Sequence, residues 1–307
     1  MKKIKRNESP FKFLLHLIKC KLVFIIGNIL PSFLPLSMFK YKRHNYFLHY
    51  APNQFSQVLY TYPNIIRYPD DEEFLKVYLK PNDNYIDIGA NIGTTTLCAT
   101  TAIIPNGLTL AYEAHPDTFT YLTRAILNNK KLIPQIITRN IALGNETGSV
   151  RFSTINNHDD INHVIEDGEA GPSSDSDHLK NKKGIIIEVP IRKLDSELTF
   201  DKISLIKIDV EGYELQVFNG AIKTLAKTDA IFFEIYDKNA EMFNYDTKEI
   251  IGLLSNSGFK IYKIDITNKS LKRLDIQSYI GSPHCENMIA VRNEADLCSR
   301  TEYKIIV

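Results

Sequence analysis

Short apolar runs separated by longer amphipathic stretches dominate the chain from about residue 84 to residue 292. The clearest runs are YIDI at 85–88, ISLIKI at 203–208 and AIFFEIY at 230–236. None of them alternates strictly between apolar and polar residues, which is typical of strands buried on both faces of a parallel sheet. The stretches between them are long enough for crossover helices. This pattern predicts an α/β fold with helices on both faces of a largely parallel sheet.

The remaining elements follow from the same pattern. Charge order, apolar spacing and breaker residues predict helices at 69–80, 92–103, 116–129, 213–227 and 247–257. Apolar or alternating runs predict further strands at 108–114, 134–143, 148–155, 185–190, 259–264 and 287–293. In such sheets the ligand binds outside the carboxyl ends of the strands, where the strand order reverses. Polar residues at strand ends are therefore the candidates for chemistry.

Three segments fall outside this alternation. Residues 1–80 are expected to form an N-terminal extension of helical and irregular character, in which 41–68 shows no clear period. Residues 156–184 are polar and mixed in charge, and a loop of that length inside a domain is usually functional or disordered. Residues 298–307 form a short C-terminal tail. The main domain is expected at 81–297, with 156–184 as a polar loop insertion.

The beginning of the chain is basic and then apolar. Lysines interrupt the apolar run, and its longest uncharged part contains Pro31 and Pro35. A signal peptide needs an uninterrupted apolar core, and a membrane-spanning helix needs about 20 apolar residues. We therefore expect a helical extension packed on the domain or on a partner. A basic amphipathic segment in peripheral contact with a membrane is the alternative, and a true span fits least well.

Composition and charge narrow the class of protein. The chain has 307 residues, of which 44% are apolar and 24% charged, as in ordinary globular proteins. A formal net charge of +1 gives no electrostatic case for a nucleic-acid partner. The four cysteines show no metal-binding spacing, which favours reduced thiols in a cytoplasmic protein. We expect a cytoplasmic location, with membrane association at the N-terminus as the variant.

The turn GANIG at 89–93, after the first apolar run, bears on the choice of cofactor. A dinucleotide fingerprint has a middle glycine that lets pyrophosphate approach the backbone, and that glycine is missing here. Asp87, just before the turn, would repel a phosphate and attract an ammonium group. S-adenosylmethionine carries an ammonium, a sulfonium and no phosphate. Its carboxylate could accept hydrogen bonds from backbone amides near Gly93. A plain tight strand–helix turn is the alternative.

Acids end the other predicted strands. Glu113 follows the second strand where an acid that binds ribose hydroxyls is expected, in nicotinamide and sulfonium cofactor sites alike. Asp209, Glu211 and Glu234 follow or end the two densest apolar runs and should gather at one edge of the sheet. Clustered carboxylates can suit a sulfonium, act as a base or bind a divalent cation. The next acid, Glu214, is expected to complement the amide end of its helix.

Taken together, these blocks resemble the FkbM-type S-adenosylmethionine-dependent methyltransferases, a class I methyltransferase family. The resemblance covers about residues 84–292, and KIDVEGYE with the upstream KLDSEL is its most specific part. It implies a Rossmann-like fold with a mostly parallel seven-stranded sheet whose last strand is antiparallel. It also implies methyl transfer to oxygen, often on sugars or secondary metabolites. The matching stretches are YIDIGANIGTTTL, YEAHP, NIALGNETGSVRF, IRKLDSEL, LIKIDVEGYELQVFNGA, FFEIYD and ENMIAV.

The resemblance also implies roles for matching positions. It places Asp209, Glu211 and Glu234 at the active-site rim as the candidate catalytic residues. A Mg²⁺ ion bridging Asp209 and Glu234 is a further hypothesis, because some class I enzymes place metal carboxylates at these strand ends. His115 stands where Asn or Ser is more usual, so its role is open. The implied cofactor-binding residues are Asp87, Gly89, Asn91, Gly93, Glu113, Asn140, Ala142 and Asp209.

The leading hypothesis is an S-adenosylmethionine-dependent methyltransferase that acts on a hydroxyl of a sugar, glycan or other small acceptor. N-methylation of an amine and a cofactor-binding scaffold without turnover are two alternatives. A nicotinamide oxidoreductase is a third, disfavoured by the missing glycine. No nucleic-acid partner is expected. The sequence does not identify the acceptor.

Overall fold

The computed structural model describes residues 15, 18, 20–23, 25, 39–51, 54–61, 69–155, 158–165, 185–197 and 200–306. The strands in chain order are β1 Lys40–Arg43, β2 Tyr46–His49, β3 Tyr85–Ile88, β4 Thr109–Tyr112, β5 Ile136–Arg139, β6 Ala142–Leu143, β7 Gly148–Ile155, β8 His158–Ile165, β9 Ile185–Arg192, β10 Ile203–Ile208, β11 Thr228–Ile235, β12 Lys260–Asp265, β13 Ser270–Arg273, β14 Glu286–Val291 and β15 Lys304–Ile306.

Ten helices have continuous bounds within the described residues. Most predicted helices are present, although the one expected at 213–227 is divided into two short helices at Gly220. In chain order they are α1 Gln54–Thr61, α2 Pro69–Tyr78, α3 Thr94–Ile103, α4 Pro116–Leu127, α5 Leu194–Glu197, α6 Glu214–Asn219, α7 Ile222–Leu225, α8 Asp237–Glu241, α9 Thr247–Asn256 and α10 Glu294–Arg300.

The main sheet has the strand order β15-β13-β12-β14-β11-β10-β3-β4-β5. Strands β5, β4, β3, β10 and β11 pair in parallel, while β14 lies antiparallel between β11 and β12. The seven strands from β5 to β12 therefore confirm the expected mostly parallel sheet with an antiparallel last strand. Strands β13 and β15 extend it to nine. The strand order reverses between β3 and β10, so their carboxyl ends meet at the switch point where ligands bind.

Helices cover both faces of this sheet. On one face α2, α3 and α4 share an apolar cluster with Leu205 and Phe232. On the other face α6, α7 and α9 share a second cluster with Ile206 and Phe233. Successive residues of a strand point to opposite faces, so β10 and β11 need apolar side chains on both. This double burial explains why these strands appear in the sequence as continuous apolar runs.

A second sheet with the order β6-β9-β7-β8 stands beside the main one. Strand β8 corrects part of the expected polar loop at 156–184, because residues 158–165 pair with β7 in an antiparallel register. Val164 is paired with Phe152, and both are buried in a shared apolar cluster. A segment with so few apolar residues has no pattern from which this strand pairing can be predicted. The part of that segment at 166–184 lies outside the described residues.

The extension before residue 80 also differs from the expected irregular lead-in. Strands β1 and β2 form an antiparallel hairpin that packs on the domain. The side-chain amide of Asn129, just after α4, donates to the carbonyl of Phe47 at 2.6 Å and accepts from its amide at 2.9 Å. Two exchanged hydrogen bonds of this kind satisfy the backbone of an edge strand. Helix α2 was correctly predicted, and it lies against α3.

Most of the basic and apolar beginning of the chain lies outside the described residues. Positions 15, 18, 20–23 and 25 are helical, and among them Cys20 and Val23 are buried. Within the described ranges, no helix is both long and apolar enough to cross a membrane.

The C-terminal segment is part of the fold rather than a loose tail. Strand β15 pairs in parallel with β13, and Arg300 at the end of α10 forms an ion pair of 2.6 Å with Asp83. A strand of three residues at a sheet edge carries too short a pattern to be recognised in sequence.

Candidate functional site

The turn after β3 packs directly on the end of β10. Gly89, Asn91 and Gly93 all have positive φ angles, of 79°, 48° and 91°. A Cβ atom on Gly89 would lie 1.8 Å from the carbonyl oxygen of Asp209, so only glycine fits at this position. The close approach brings the turn and the acid-bearing end of β10 together.

Asp87 lies beneath the turn and does not line the cavity. Its carboxylate accepts hydrogen bonds from the hydroxyls of Thr95 at 2.9 Å and Thr96 at 2.6 Å, in the first turn of α3. Burial raises the pKa of Asp87, against the lowering effect of nearby Lys207. The observed contacts therefore give Asp87 a role in holding α3 to β3. The predicted contact with a cofactor ammonium remains a prediction.

Glu113 lines the cavity with a carboxylate held in place by two backbone amides. The amide of Asn91 donates to Oε2 at 2.9 Å, and the amide of His115 donates to Oε1 at 2.9 Å. The acid at the end of β4 is thereby connected to the glycine turn. The open role of His115 is partly structural, because its ring accepts from the amide of Thr118 and caps α4.

The segment after β5 contains one residue that supports the loop after β4 and three residues that line the cavity. The side-chain amide of Asn140 donates to the carbonyls of Glu113 and Ala114 at 2.8 and 2.9 Å, and Asn140 itself does not line the cavity. Ile141, Ala142 and Leu143 do line it. Ala142 therefore lies in the cavity, and its contact with a cofactor stays a prediction, whereas Asn140 supports the β4 loop.

The three acids at the ends of β10 and β11 come together as expected. Asp209, Glu211 and Glu234 each present a carboxylate oxygen within 4.8 Å of the others, at intermediate exposure. Glu211 has a φ of 53°, a left-handed conformation that a non-glycine residue rarely adopts. Backbone strain of this kind concentrates at functional sites. The cluster could hold a divalent cation, orient hydroxyl groups or accept a proton.

Burial, followed by the charge of Asp209, raises the pKa of Glu234 to about 7. The thiol of Cys285 donates a hydrogen bond to Glu234 and opposes this shift. A carboxylate with a pKa near neutrality is suited to proton transfer. Cys285 was not among the predicted site residues.

Glu214 is structural, as expected. It is buried and accepts hydrogen bonds from the amides of Val210 at 3.2 Å and Gly212 at 3.1 Å. Burial raises its pKa to about 7. Its carboxylate therefore supports the backbone that carries Glu211.

Lys207 is a buried cation at the site that the sequence reasoning missed. Its ammonium lies 2.8 Å from Asp209 and 3.6 Å from Asp71 of α2, and its side chain is 4% exposed. Burial alone would lower the pKa of Lys207, but Asp209, Asp71 and Asp87 raise it. The available signal was a lysine inside a strand predicted to be buried on both faces.

A single cavity of about 400 Å³ joins the turn, Glu113 and the three acids. Residues far from these motifs complete its wall. Phe152 and Val164 come from the second sheet, and four residues come from the extension before residue 80. These four are Arg43, Leu59, Asp71 and Glu72. No sequence motif marked them, since they reach the cavity only through packing of the hairpin, α1 and α2.

Comparisons with known proteins find a family match and a curated relative for this chain. The model of the methyltransferase FkbM domain matches residues 87–261. The hexuronic acid methyltransferase AglP of Haloferax volcanii is 27% identical over 175 residues, which cover 56% of this chain and 61% of that protein. The chain thus matches less than two thirds of that relative's length.

Two solved structures are similar at low sequence identity. A methyltransferase FkbM from Methylobacillus flagellatus KT is 14% identical, with 87% of this chain and 60% of that chain covered and a TM-score of 0.42. An S-adenosylmethionine-dependent O-methyltransferase from Thermotoga maritima is 15% identical, with 77% and 70% covered and a TM-score of 0.40.

The donors of the cavity fit S-adenosylmethionine. Glu113 presents an oriented carboxylate of the kind that binds ribose hydroxyls, and the turn lacks the middle glycine of a dinucleotide fingerprint. Charges of both signs are present for the zwitterionic end of the cofactor. Because the family match covers more than half of the chain and contains the turn, Glu113 and all three clustered acids, this chain belongs to the FkbM methyltransferase family.

Proposed function

We propose that this chain is an S-adenosylmethionine-dependent methyltransferase that acts on a hydroxyl of a saccharide or a related small polyhydroxylated acceptor. One observation carries the proposal: Asp209, Glu211 and Glu234 converge within 4.8 Å in the cavity beside the glycine turn. A hydroxyl is a weak nucleophile near neutral pH and needs a group that takes its proton. Several carboxylates also match the several hydroxyl donors that a sugar presents.

Glu234 is the proposed proton acceptor. Its pKa of about 7, raised first by burial, lets it take a proton from an acceptor hydroxyl at neutral pH. Asp209 is held at 2.8 Å by Lys207, so it is better suited to orient the acceptor than to accept the proton. Glu211 faces the cavity from its left-handed backbone and is assigned the same orienting role.

Positioning is the other contribution of the chain. S-adenosylmethionine, when bound, supplies an electrophilic methyl group on a sulfonium that departs as a neutral thioether. The turn, Glu113 and Ala142 are assigned to hold the cofactor, and the acid cluster is assigned to align the acceptor hydroxyl. Such alignment provides much of the rate enhancement in a displacement reaction.

The saccharide class draws support from one relative. AglP, at 27% identity, is by its name a hexuronic acid methyltransferase. The overall identity is too low to transfer one particular sugar. The proposal is therefore limited to the class of acceptor.

The test is a panel of acceptors with release of S-adenosylhomocysteine as the readout. The panel contains neutral sugars, uronic acids, nucleotide sugars, lipid-linked sugars and amines. Turnover on a saccharide that Glu234→Gln abolishes, with S-adenosylhomocysteine affinity intact, supports the proposal. Glu241→Gln, an exposed carboxylate on α8, is the matched control. Turnover on amines alone would establish N-methylation instead, and no turnover on any member would favour a binding scaffold.

A divalent cation held by the same carboxylates is the second candidate arrangement. The convergence of Asp209, Glu211 and Glu234 favours such a site. Glu211 is then a third candidate ligand beside the predicted pair, Asp209 and Glu234. Such an ion would promote loss of the acceptor proton as a Lewis acid. Equal rates of methyl transfer in Mg²⁺ and in excess chelator would exclude it.

A further inference from the structure

Arg43 lies in the cofactor cavity, although it belongs to the hairpin before the matched FkbM segment. Its side chain is 6% exposed, and its Nε donates to Oε1 of Glu72 at 2.8 Å. This contact uses the Nε edge of the guanidinium and fixes the plane of the group. Arg43 is thus an ordered, buried cation at the cavity wall.

The position of Arg43 relative to α3 follows from its neighbours. The backbone carbonyl of Glu72 accepts a hydrogen bond from the thiol of Cys98 on α3, at 3.7 Å. Arg43, Thr94 and Thr95 line the same cavity, and Thr94 is the first residue of α3. Arg43 and the beginning of the helix that follows the glycine turn therefore face the same cavity.

The beginning of α3 is favourable for an anion. Its N-cap residue is Gly93, which supplies no side-chain hydrogen bond to the first amides. The amides and the helix dipole at such a terminus attract negative charge. A cation and a helix terminus that face the same cavity are suited to a carboxylate.

Charge in the rest of the cavity limits where that carboxylate can lie. Among the described residues that line it, the cations are Arg43 and Lys207, against six carboxylates. Lys207 is already placed between Asp209 and Asp71. An additional carboxylate near Lys207 would meet these two acids. A ligand carboxylate is therefore repelled by the acids of the wall and attracted by Arg43.

We propose that Arg43 binds the carboxylate of the methionine moiety of S-adenosylmethionine. A guanidinium has five N–H donors in a rigid fork, so it can hold Glu72 and a ligand carboxylate at once. The hairpin that carries Arg43 is then a functional part of the cofactor site, outside the segment that the family match covers. The proposal does not depend on the acceptor, and its test uses none.

The test compares two ligands that differ in the amino-acid end. S-adenosylhomocysteine carries this end, whereas 5′-methylthioadenosine has the same nucleoside and thioether without it. Calorimetric titration of Arg43→Gln should show about 10- to 100-fold weaker binding of S-adenosylhomocysteine, the range for loss of a charge-assisted contact. Binding of 5′-methylthioadenosine should stay within about twofold of the unmodified protein.

Two further variants complete the design. Lys42→Gln removes an exposed cation from the same strand and should leave both affinities unchanged. Arg43→Gln with Glu72→Gln removes both members of the buried pair, so it tests the same contact if the single variant fails to fold. Unchanged binding of S-adenosylhomocysteine, or an equal loss for both ligands in a folded variant, overturns the proposal.

Discussion

The ammonium of Lys207 lies 2.8 Å from the carboxylate of Asp209, two residues further along the chain at the end of β10. The same ammonium lies 3.6 Å from Asp71, so it links the proposed catalytic edge to helix α2. Asn287 of β14 also donates to Asp71, at 3.1 Å. A buried cation thus connects the extension, the central sheet and the acid cluster.

Lys207→Met should destabilise the fold by about 3–5 kcal/mol, because it leaves Asp209 and Asp71 close together without their shared cation. Denaturant unfolding measures the change. Lys76→Met is the control, since the partly exposed ion pairs of Lys76 with Glu72 and Glu73 should contribute less than about 1 kcal/mol. Equal stability losses in the two variants would contradict a central role for Lys207.

Glu113→Gln should weaken S-adenosylhomocysteine binding by about tenfold, as expected for loss of a charged hydrogen-bond acceptor at the ribose. The glutamine keeps the size of the side chain, but one of its two terminal positions becomes a donor facing the amide of Asn91 or His115. Calorimetry gives the affinity, and thermal unfolding checks the fold. Wild-type affinity in a folded variant would exclude the ribose assignment.

Methyl transfer should become faster as pH rises through about 7, because Glu234 must lose its proton before it can accept one. Cys285→Ala removes a hydrogen bond that lowers the pKa of Glu234, so the rise should move to higher pH. The pH dependence of kcat at saturating cofactor is the measurement. Cys298→Ala, at an exposed thiol on α10, should leave the profile in place. A profile that Cys285→Ala does not move would argue against Glu234 as the base.

Glu211→Gly and Glu211→Ala should differ in stability although both remove the carboxylate. Glycine tolerates the observed φ of 53°, whereas alanine keeps the strain, so the glycine variant should be more stable by about 1 kcal/mol. Both should lower activity in the acceptor assay. Asn244→Gly, at a φ of 54° outside the cavity lining, should leave activity intact. Chemical denaturation gives the comparison, and equal stability of the two variants would mean that position 211 is not strained.

Glu214→Gln should change how stability depends on pH. The folded-state pKa of about 7 lies above the unfolded value near 4.3, so this group stabilises the fold at low pH. That contribution is lost as pH rises through about 7. The free energy of unfolding of the variant, relative to that of the unmodified protein, should therefore rise by on the order of 2–3 kcal/mol between pH 5 and pH 8. Parallel stability curves, measured by urea unfolding across this range, would falsify the linkage.

Much of the main sheet was predictable because its signals are local. Residues 203–208 and 230–236 are apolar on both faces, and double burial produces that pattern in any parallel sheet. The acids that follow were expected at one edge for the same reason, since parallel strands carry their ends to one side. Their convergence within 4.8 Å agrees with that expectation.

Other elements gave weak local signals. Strand β8 has few apolar residues and depends on pairing with β7, and β15 has only three residues at the sheet edge. Their conformations are decided by neighbours rather than by their own periodicity. The hairpin of β1 and β2 was missed for a similar reason, because its stability comes from packing on the domain and from Asn129.

By itself, the sequence determined the alternation of strands and helices, the glycine turn and the acids at the strand ends. Burial and turn geometry restrict the residue types at neighbouring positions, so these features can be predicted from local patterns. Only the tertiary structure decided which distant charges meet at the cavity. Asp71 reaches Lys207, and Arg43 reaches the cavity, through the packing of a hairpin and a helix that carry no motif. Contacts of this kind depend on how elements cross in space, and no local pattern encodes that.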